Sequence, residues 1–407
     1  MAKYFRQSLL LTDAIDQAST SFVNNSVTEV VVVAATRTPF GRFLGSIADF
    51  SAVDLACEAA NAALLDFDRK QLDLVVLGNV LSAGLGMNIA RQVAVRLDLR
   101  IEVTAFTVNM MCASGLQAVL LAAQAIRAGD AKAVLCGGTE SMSNAPYLVP
   151  KARRGYKLGD GSLIDSLLCD GLVDSFDHNH MGISAETLAN EFQISRHEQD
   201  EFAARSQARF AAAFQSKAFD DEVVPVGDLS FDEHPRADTT IEKLSKLKPA
   251  FSTSGTVTAG NASGINDGAA MLVVASAEFA SQQGWPVLAR LAGGTTQGCD
   301  PARMGLGPVH AIRKLCLNHG WSIGRFDNVE INEAFAVQAI ACQRELGLDP
   351  DRVNVNGGAI AVGHPIGASG ARLAVHLAHR IASGAIEQGL AGLCVGGGMG
   401  IAAAFTK

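Results

Sequence analysis

Basic residues, aromatic residues and long apolar runs are all scarce in this sequence, and each shortage excludes a class of protein. Lysine and arginine number 33 against 41 aspartates and glutamates, which gives a formal net charge of −8. An acidic chain without a long basic run is a poor candidate for binding nucleic acid. No apolar stretch approaches the roughly 20 residues that a membrane span needs, so we expect no membrane partner. Only 6% of the residues are aromatic whereas 40 are glycine, a balance that suits closely packed α/β layers.

Closely spaced cysteine pairs are also missing. None of the eight cysteines form a C-x-x-C pair. A disulfide scaffold or a zinc site is therefore not expected, and the usage indicates a reducing compartment, which we take to be the cytoplasm. A lone buried cysteine is usually a small apolar residue, and we interpret five of the eight in this way: Cys57, Cys136, Cys169, Cys316 and Cys342.

Residues 1–28 need a separate interpretation. They combine Lys3 and Arg6 with a run of three leucines, but they also contain Asp13 and Asp16. The apolar run is too short for a secretory signal, and the acidic residues argue against an organellar transit peptide. We expect an N-terminal extension here, with a mitochondrial transit peptide as the alternative.

Strand and helix patterns alternate along most of the remaining chain. The β-branched run at residues 30–35 predicts a buried strand, residues 51–67 predict a helix, and residues 74–78 predict a second strand. Similar alternation resumes after residue 270 and continues to the C-terminus. With 48% hydrophobic residues in 407, the chain can bury a large core spread over about two or three domains.

The two ends of the chain resemble each other in detail. A Ser-Gly pair opens an alanine-rich stretch at residues 114–129, and a second pair opens an equally long stretch at 369–384. Each stretch leads to a predicted strand that ends in a Leu-Cys pair before glycines. The offset of 255 residues (370 − 115) is too long for a solenoid repeat. It predicts two similarly folded halves that meet at a shared interface.

The pattern changes between the halves, where prolines, glycines and charges mark loops around predicted helices at 185–192 and 198–213. We interpret this region as an insertion placed over the core. The predicted division is an extension at 1–28, a first half at 29–140 completed by a strand near 265–290, an inserted loop domain at 141–264, and a second half at 287–407.

Three reactive side chains lie in glycine- or alanine-rich settings. Cys112 lies where a predicted strand ends and a helix of small residues begins, a position at which the helix dipole favours a thiolate. His364 lies in a glycine-lined loop before the second alanine-rich helix, and Cys394 precedes a run of glycines. A histidine can take a proton from one thiol while a second thiol moves a proton elsewhere, so this set predicts cysteine-based acyl transfer.

Four separated motifs resemble those of the thiolase family, in particular its short-chain, acetoacetyl-CoA-forming branch. They are NMMCASG around Cys112, NEAFA from Asn332, GGAIAVGHPIGASGAR around His364 and CVGGGMG from Cys394. The resemblance runs from about residue 30 to the C-terminus, and four motifs in order are highly specific. It implies an α/β, thiolase-like fold in which two related βα halves form a layered α-β-α-β-α core.

The resemblance also implies catalytic roles. Cys112 is the acylated nucleophile, His364 activates it, and Cys394 exchanges the α-proton of the acetyl unit. Asn332 holds a water that forms one oxyanion hole with His364, and the N–H groups of Cys112 and Gly396 form the second. Asn332 could instead be only a helix N-cap.

Coenzyme A recognition is assigned to the inserted region and the neighbouring loops. Met304 and Phe335 would close the acyl pocket, which favours acetyl and acetoacetyl groups. Arg236 would face the nucleotide end, where Lys243 departs from some relatives. The segment 147–159 matches the loop through which family dimers pair into homotetramers. The remaining predicted binding residues are His180, Met181, Leu172, Phe251, Ala259 and Ser263.

The implied reaction is the reversible condensation of two acetyl-CoA molecules to acetoacetyl-CoA and CoA, with no metal and no redox cofactor. The nearest alternative is a degradative 3-oxoacyl-CoA thiolase of broader chain length. A β-ketoacyl synthase would lack the Cys394 motif. A non-catalytic acyl carrier is expected to have lost a reactive side chain, yet all are present here. A basic cluster at 151–157 is either a solvated loop or a contact for phosphates or a partner subunit.

Overall fold

The structure, a computed structural model, describes residues 28–407. The predicted extension therefore lies outside the described residues except for Thr28. Within the described range the chain forms twelve strands. They are β1 Val30–Arg37, β2 Gly41–Arg42, β3 Leu74–Gly78, β4 Thr104–Val108, β5 Ala133–Ser141, β6 Tyr147–Leu148, β7 Ile164–Asp165, β8 Asn266–Ser276, β9 Ala289–Gly298, β10 Asn328–Ile331, β11 Gln388–Val395 and β12 Met399–Thr406.

Eleven α-helices cover or connect these strands in the described part of the chain. They are α1 Ala52–Ala63, α2 Ile89–Arg96, α3 Ser114–Ala128, α4 Met181–Glu191, α5 Arg196–Gln215, α6 Ile241–Ser245, α7 Ala277–Gln283, α8 Gly307–His319, α9 Ala336–Leu346, α10 Ala359–Val362 and α11 Ser369–Ala382.

Nine strands follow one hydrogen-bonded path in the order β10-β11-β12-β9-β1-β8-β5-β3-β4, and β2 pairs with β8. The first half contributes β1, β8, β5, β3 and β4, and the second half contributes β9, β12, β11 and β10. The halves join through a short antiparallel contact in which Val31 and Val32 pair with Arg290 and Ala289. The sequence did not predict this join, because two paired residues leave no periodic signal.

The helices α3 and α11 form the central layer, between the strands of the two halves. Their apolar residues share one buried cluster with strands from both halves, including Val134 and Leu393. Glycines permit the close crossing: a Cβ on Gly370 would lie 2.7 Å from the backbone nitrogen of Leu116. By length and composition alone, an 18-residue window over Met111–Ala128 is apolar enough to cross a membrane, so the expectation that no stretch approaches this length is wrong. However, 61% of this window is buried inside the protein.

Two outer layers complete the predicted α-β-α-β-α arrangement. On one side α1 and α2 pack against β1, β3, β5 and β8. On the other side α8 and α9 pack against β10, β11 and β12. The helix predicted at 51–67 ends earlier, at Ala63, because the chain then turns to place Phe67 edge-on against Trp285. The layered α/β fold is thereby confirmed, whereas the predicted domain boundaries stay a prediction.

The inserted region is anchored to the core by a buried ion-pair network that the sequence analysis missed. Arg37 at the end of β1 donates to Glu222 at 2.8 Å and to Asp232 at 2.7 Å, and all three are buried. Glu222 also contacts Nδ1 of the buried His376 at 2.9 Å. Removing one partner of such a network leaves an uncompensated buried charge, so the network fixes the insertion over the sheet.

Candidate active site

A cavity of about 480 Å³ opens where the two halves and the inserted region meet. Cys112, His364, Cys394 and Gly396 all line it, although they come from opposite ends of the sequence. The structure thus brings together the residues that the motifs predicted. The predicted binding residues line the same cavity: His180, Met181, Leu172, Arg236, Phe251, Ala259, Ser263, Met304 and Phe335.

Cys112 lies in the tight turn between β4 and α3. The backbone of Met111 adopts a positive φ of 49°, which turns the chain sharply before the helix. Ser114 holds this turn: its Oγ accepts from the Met110 N–H at 2.8 Å and donates to the Met111 carbonyl at 2.6 Å. Cys112 is therefore fixed at the N-terminus of α3, and 7% of the residue's surface is exposed.

Burial raises the pKa of the Cys112 thiol to about 11. The N–H groups of Cys112 and Gly396 lower the pKa of the Cys112 thiol, whereas the Glu140 carboxylate raises it further. The expectation that the helix terminus would favour a thiolate is therefore wrong, because desolvation outweighs the favourable dipoles. Cys112 is a neutral thiol that needs a base.

His364 is held at its backbone and at both ring nitrogens. Its N–H donates to Oδ1 of Asn266 at 2.9 Å, its Nδ1 lies 2.6 Å from Ser369 Oγ, and its Nε2 lies 3.4 Å from Asn332 Nδ2. Burial, with a smaller contribution from Arg372, lowers its pKa to about 4. The imidazole is neutral near pH 7, which is the form that can accept a proton.

Asn332 lies behind the cavity rather than on its wall. It is fully buried, and its backbone N–H donates to the Gly392 carbonyl at 3.0 Å. The N-cap of α9 is Phe335, so the alternative that Asn332 is only an N-cap is wrong. Its Oδ1 has no hydrogen-bond partner among the described residues. A buried amide oxygen with free lone pairs beside an imidazole suits a bound water.

Cys394 is the second-last residue of β11 and lies before a glycine turn that leads into β12. Gly397 and Gly398 have φ of +84° and +82°, which side chains rarely adopt, so glycine is required for this turn. Met181 lies against Gly396 and occupies the space that a Cβ would need. Burial, and secondarily the proximity of Cys112, raises the pKa of Cys394 well above its ordinary value.

Aromatic rings form one wall of the cavity. The rings of His180 and Phe251 stack at 4.6 Å, and Phe335 meets Phe251 edge-on at 6.1 Å. His180 also caps α4, because its Nδ1 accepts from the Gly182 N–H at 3.0 Å. Burial lowers the pKa of His180, which keeps it neutral. Met304, on the short 3-10 helix Pro301–Leu306, is 3% exposed and lies beside these rings.

Two arginine side chains line the cavity, and the sequence analysis predicted only one of them. Arg236 was predicted, whereas Arg42 also lines the cavity. His234 lies beside them but adds no charge near pH 7, because burial lowers its pKa to about 4. Nothing in the sequence connects Arg42 to this site, because it lies on β2, far along the chain from the inserted loops. Lys243 lines a neighbouring pocket with Arg236, where its ammonium group bonds to Asp238 at 2.6 Å. The basic cluster at 151–157 is exposed and contributes no residue to the cavity lining.

Glu140 is a further buried group that the motifs did not indicate. Its carboxylate accepts from the N–H groups of Val80, Leu81 and Gly367 and from the Asn79 amide, at 2.8–3.0 Å. Burial raises its pKa to about 7. Since Gly367 belongs to the His364 loop and Val80 to the first half, this carboxylate joins the two halves beside the site.

The arrangement provides a neutral base, two protonated thiols and several N–H donors inside one largely apolar pocket. Such a pocket can form a thioester on Cys112 and stabilise the negative oxygen that arises at a carbonyl. Among the described residues, no group of three or more His, Cys, Asp or Glu side chains is placed to hold a metal ion.

Comparison with known proteins agrees with this chemistry. Residues 30–278 match the family described as "Thiolase, N-terminal domain" and residues 285–407 match "Thiolase, C-terminal domain". The chain is 50% identical over 390 residues to an acetyl-CoA acetyltransferase of Pseudomonas aeruginosa, covering 93% of this chain and 99% of that protein.

Two solved structures have the same fold. One is the Bacillus anthracis acetyl-CoA acetyltransferase, with a TM-score of 0.92, 42% identity, and coverage of 94% of this chain and 100% of that one. The other is human mitochondrial 3-ketoacyl-CoA thiolase in complex with CoA, with a TM-score of 0.91, 44% identity, and coverage of 94% and 98%.

Proposed function

Since this chain belongs to the thiolase family, we propose that Cys112, His364 and Cys394 carry out the reversible condensation of two acetyl-CoA molecules. The chain is an acyltransferase, an acetyl-CoA C-acetyltransferase that forms acetoacetyl-CoA and CoA. The observation that supports these roles is one cavity lined by a neutral imidazole and two thiols from separate motifs.

In the first stage, His364 accepts the proton of the Cys112 thiol. The Cys112 sulfur attacks the carbonyl carbon of acetyl-CoA, and the bond between that carbon and the CoA sulfur then breaks. Cys394 donates its proton to the departing CoA thiolate. The products are acetyl-Cys112, CoA, a Cys394 thiolate and a protonated His364, so protons and charge balance.

In the second stage, the Cys394 thiolate removes an α-proton from the next acetyl-CoA. The resulting carbanion attacks the carbonyl carbon of acetyl-Cys112, and the bond to the Cys112 sulfur breaks as acetoacetyl-CoA forms. His364 returns its proton to Cys112. Burial raises the pKa of Cys394 well above its ordinary value, which makes its thiolate a strong base for a weakly acidic C–H bond.

Both stages place negative charge on a thioester oxygen. Two sets of hydrogen-bond donors in the cavity can stabilise this charge. One consists of the N–H groups of Cys112 and Gly396, which already point toward the Cys112 sulfur. The other consists of His364 with a water on Asn332, whose Oδ1 is free to accept from it. Each such donor contributes about 3–4 kcal/mol in enzymes of this kind of chemistry. These steps require neither a metal nor a redox cofactor.

Chain-length preference tests the proposed acyl pocket, which Met304 and Phe335 close. We expect fast CoA-dependent cleavage of acetoacetyl-CoA and little cleavage of a C10 3-oxoacyl-CoA, each followed by the loss of enolate absorbance. Comparable or greater activity on the C10 substrate would place the chain in the degradative branch. No activity on either would indicate a carrier that retains the fold.

We also propose that the enzyme is a cytoplasmic homotetramer, a dimer of dimers. Strand β4 is an edge of the large sheet and carries the exposed Phe106, so a second copy can pair along it. The segment 147–159 contains the fully exposed Leu158 and suits contact between dimers.

A further inference from the structure

We propose that Ser369 is a positioning residue that holds His364 in the tautomer with its proton on Nδ1. This tautomer leaves the Nε2 lone pair free to take the proton of Cys112. The inference rests on the proposed role of His364 as the base. Nothing in the motif analysis assigned a role to Ser369, which opens α11 five residues after His364.

The contacts of the Ser369 hydroxyl supply the first argument. Its Oγ lies 2.8 Å from the Pro365 carbonyl, to which it donates, and 2.6 Å from Nδ1 of His364. A hydroxyl has one proton, so a proton directed at Pro365 leaves only lone pairs facing the imidazole. A lone pair at 2.6 Å requires an N–H partner, which places the ring proton on Nδ1.

The other side of the ring supplies an independent argument. The Asn332 amide nitrogen lies 3.4 Å from Nε2 of His364, and an amide nitrogen only donates. With the amide in this orientation, the contact agrees with a lone pair on Nε2. Ser369 and Asn332 come from different elements, yet their contacts specify the same tautomer. Both side chains are buried, so bulk water does not compete with them for the ring.

The internal repeat places a serine at the corresponding position of the first half. Ser114 is the counterpart of Ser369 at the offset of 255 residues, and it opens α3 as Ser369 opens α11. Its Oγ also donates to a carbonyl of the preceding loop, that of Met111, while it accepts from the backbone N–H of Met110. In the first half, the hydroxyl of Ser114 accepts from the backbone of the loop that carries Cys112. In the second half, the hydroxyl of Ser369 contacts the ring of His364.

Selective ¹⁵N labelling of histidine tests the tautomer in the wild-type enzyme. The His364 signals are assigned by their loss in His364→Gln. We expect a protonated Nδ1 and an unprotonated Nε2 near pH 7. A proton on Nε2 would overturn the inference, because Ser369 would then be the donor to the ring.

The kinetics of Ser369→Ala supply the second test. We expect kcat to fall about 10- to 100-fold with little change in KM, which is a part of the about 100- to 10,000-fold that a general base contributes. The ¹⁵N signals should show both tautomers. Ser369→Thr, which keeps the hydroxyl, should recover most of the activity. Ser383→Ala is the matched control, because its Oγ makes a similar local bond to the Arg380 carbonyl at the far end of α11.

The two proposals fail in distinguishable ways. If His364→Ala keeps near-normal activity, the proposed function of His364 is wrong, and the inference falls with it. If His364→Ala is inactive while Ser369→Ala keeps both its kcat and a single Nδ1-protonated tautomer, only the inference about Ser369 is wrong.

Discussion

The protonation states of the three reactive side chains are set by burial. Burial raises the pKa of both thiols, to about 11 for Cys112 and well above its ordinary value for Cys394. It lowers the pKa of His364 to about 4. Near pH 7 the three reactive groups are therefore uncharged. Charges form there only during turnover, when the N–H groups of Cys112 and Gly396 can stabilise them without competition from water.

The His364 pKa gives a direct test at this scale. The group should stay neutral down to about pH 4, because burial disfavours its charged form. A ¹⁵N titration of the His364 signals should give a midpoint near 4 instead of the ordinary 6.5. Since the unfolded state binds the proton more readily, the same shift lowers the free energy of unfolding as the pH falls from 6.5 toward 4. A midpoint near 6.5 would contradict the described burial.

At the scale of elements, the crossing of α3 and α11 places the nucleophile and base loops next to each other. Gly115 and Gly370 are the counterparts in the repeat that allow this approach. A Cβ on Gly115 would lie 2.9 Å from the Ala371 nitrogen and the Gly367 carbonyl oxygen. Backbone atoms cannot rotate away, so the helices themselves would have to separate.

Substitution of Gly370 tests the helix crossing. Gly370→Ala should reduce the free energy of unfolding by about 1–3 kcal/mol, because its Cβ would meet the backbone of Leu116 at 2.7 Å. Urea denaturation measures this change, and kcat should fall as the loops separate. Gly324→Ala is the control, since its Cβ would meet only Ser322 Oγ, at 3.7 Å. Equal stability of the two variants would show that α3 and α11 are not closely packed.

The sequence predicted the elements better than their contacts. The Ser-Gly repeat predicted α3 and α11 and a shared interface between the two halves, because a repeated helix of small residues has a strong signal. It did not predict that the two helices cross. Arg37 and Glu140 were missed, because their partners Glu222 and Gly367 become recognisable only when the chain is folded. Ser369 lies only five residues from His364, but the sequence does not show that its hydroxyl faces a ring nitrogen of that histidine. Arg37 lies 185 residues from Glu222, and Glu140 lies 227 residues from Gly367. Separations of this size leave no local pattern.

At the scale of the whole molecule, the site is complete only where both halves and the inserted region meet. Cys112 comes from the first half, His364 and Cys394 come from the second, and His180 comes from the insertion. The Arg37 network and the Glu140 carboxylate hold these three parts together through buried charged groups.

The proposed tetramer is tested by charged substitutions on its two proposed contact surfaces. Leu158→Asp should give dimers in sedimentation velocity, because a carboxylate would be desolvated between the dimers. Phe106→Asp should weaken the pairing along β4 and give monomers. Leu317→Asp, at an 81% exposed position on α8, serves as the control and should leave a tetramer. A tetramer that survives Leu158→Asp would show that residues 147–159 do not join the dimers.

The division of labour between Cys112 and Cys394 is the central claim, and one comparison tests it most directly. The exchange of labelled CoA into acetyl-CoA reports the first stage, whereas acetoacetyl-CoA formation reports both. Cys112→Ala should lose both activities. In Cys394→Ala, the rate of condensation should fall by about 100-fold or more, because removal of the α-proton needs a base. The rate of CoA exchange should fall far less, because CoA can leave as a thiolate. Cys136→Ala removes the buried thiol of the corresponding Leu-Cys pair in the first half and should affect both activities equally. Equal loss of exchange and condensation in Cys394→Ala would contradict the account.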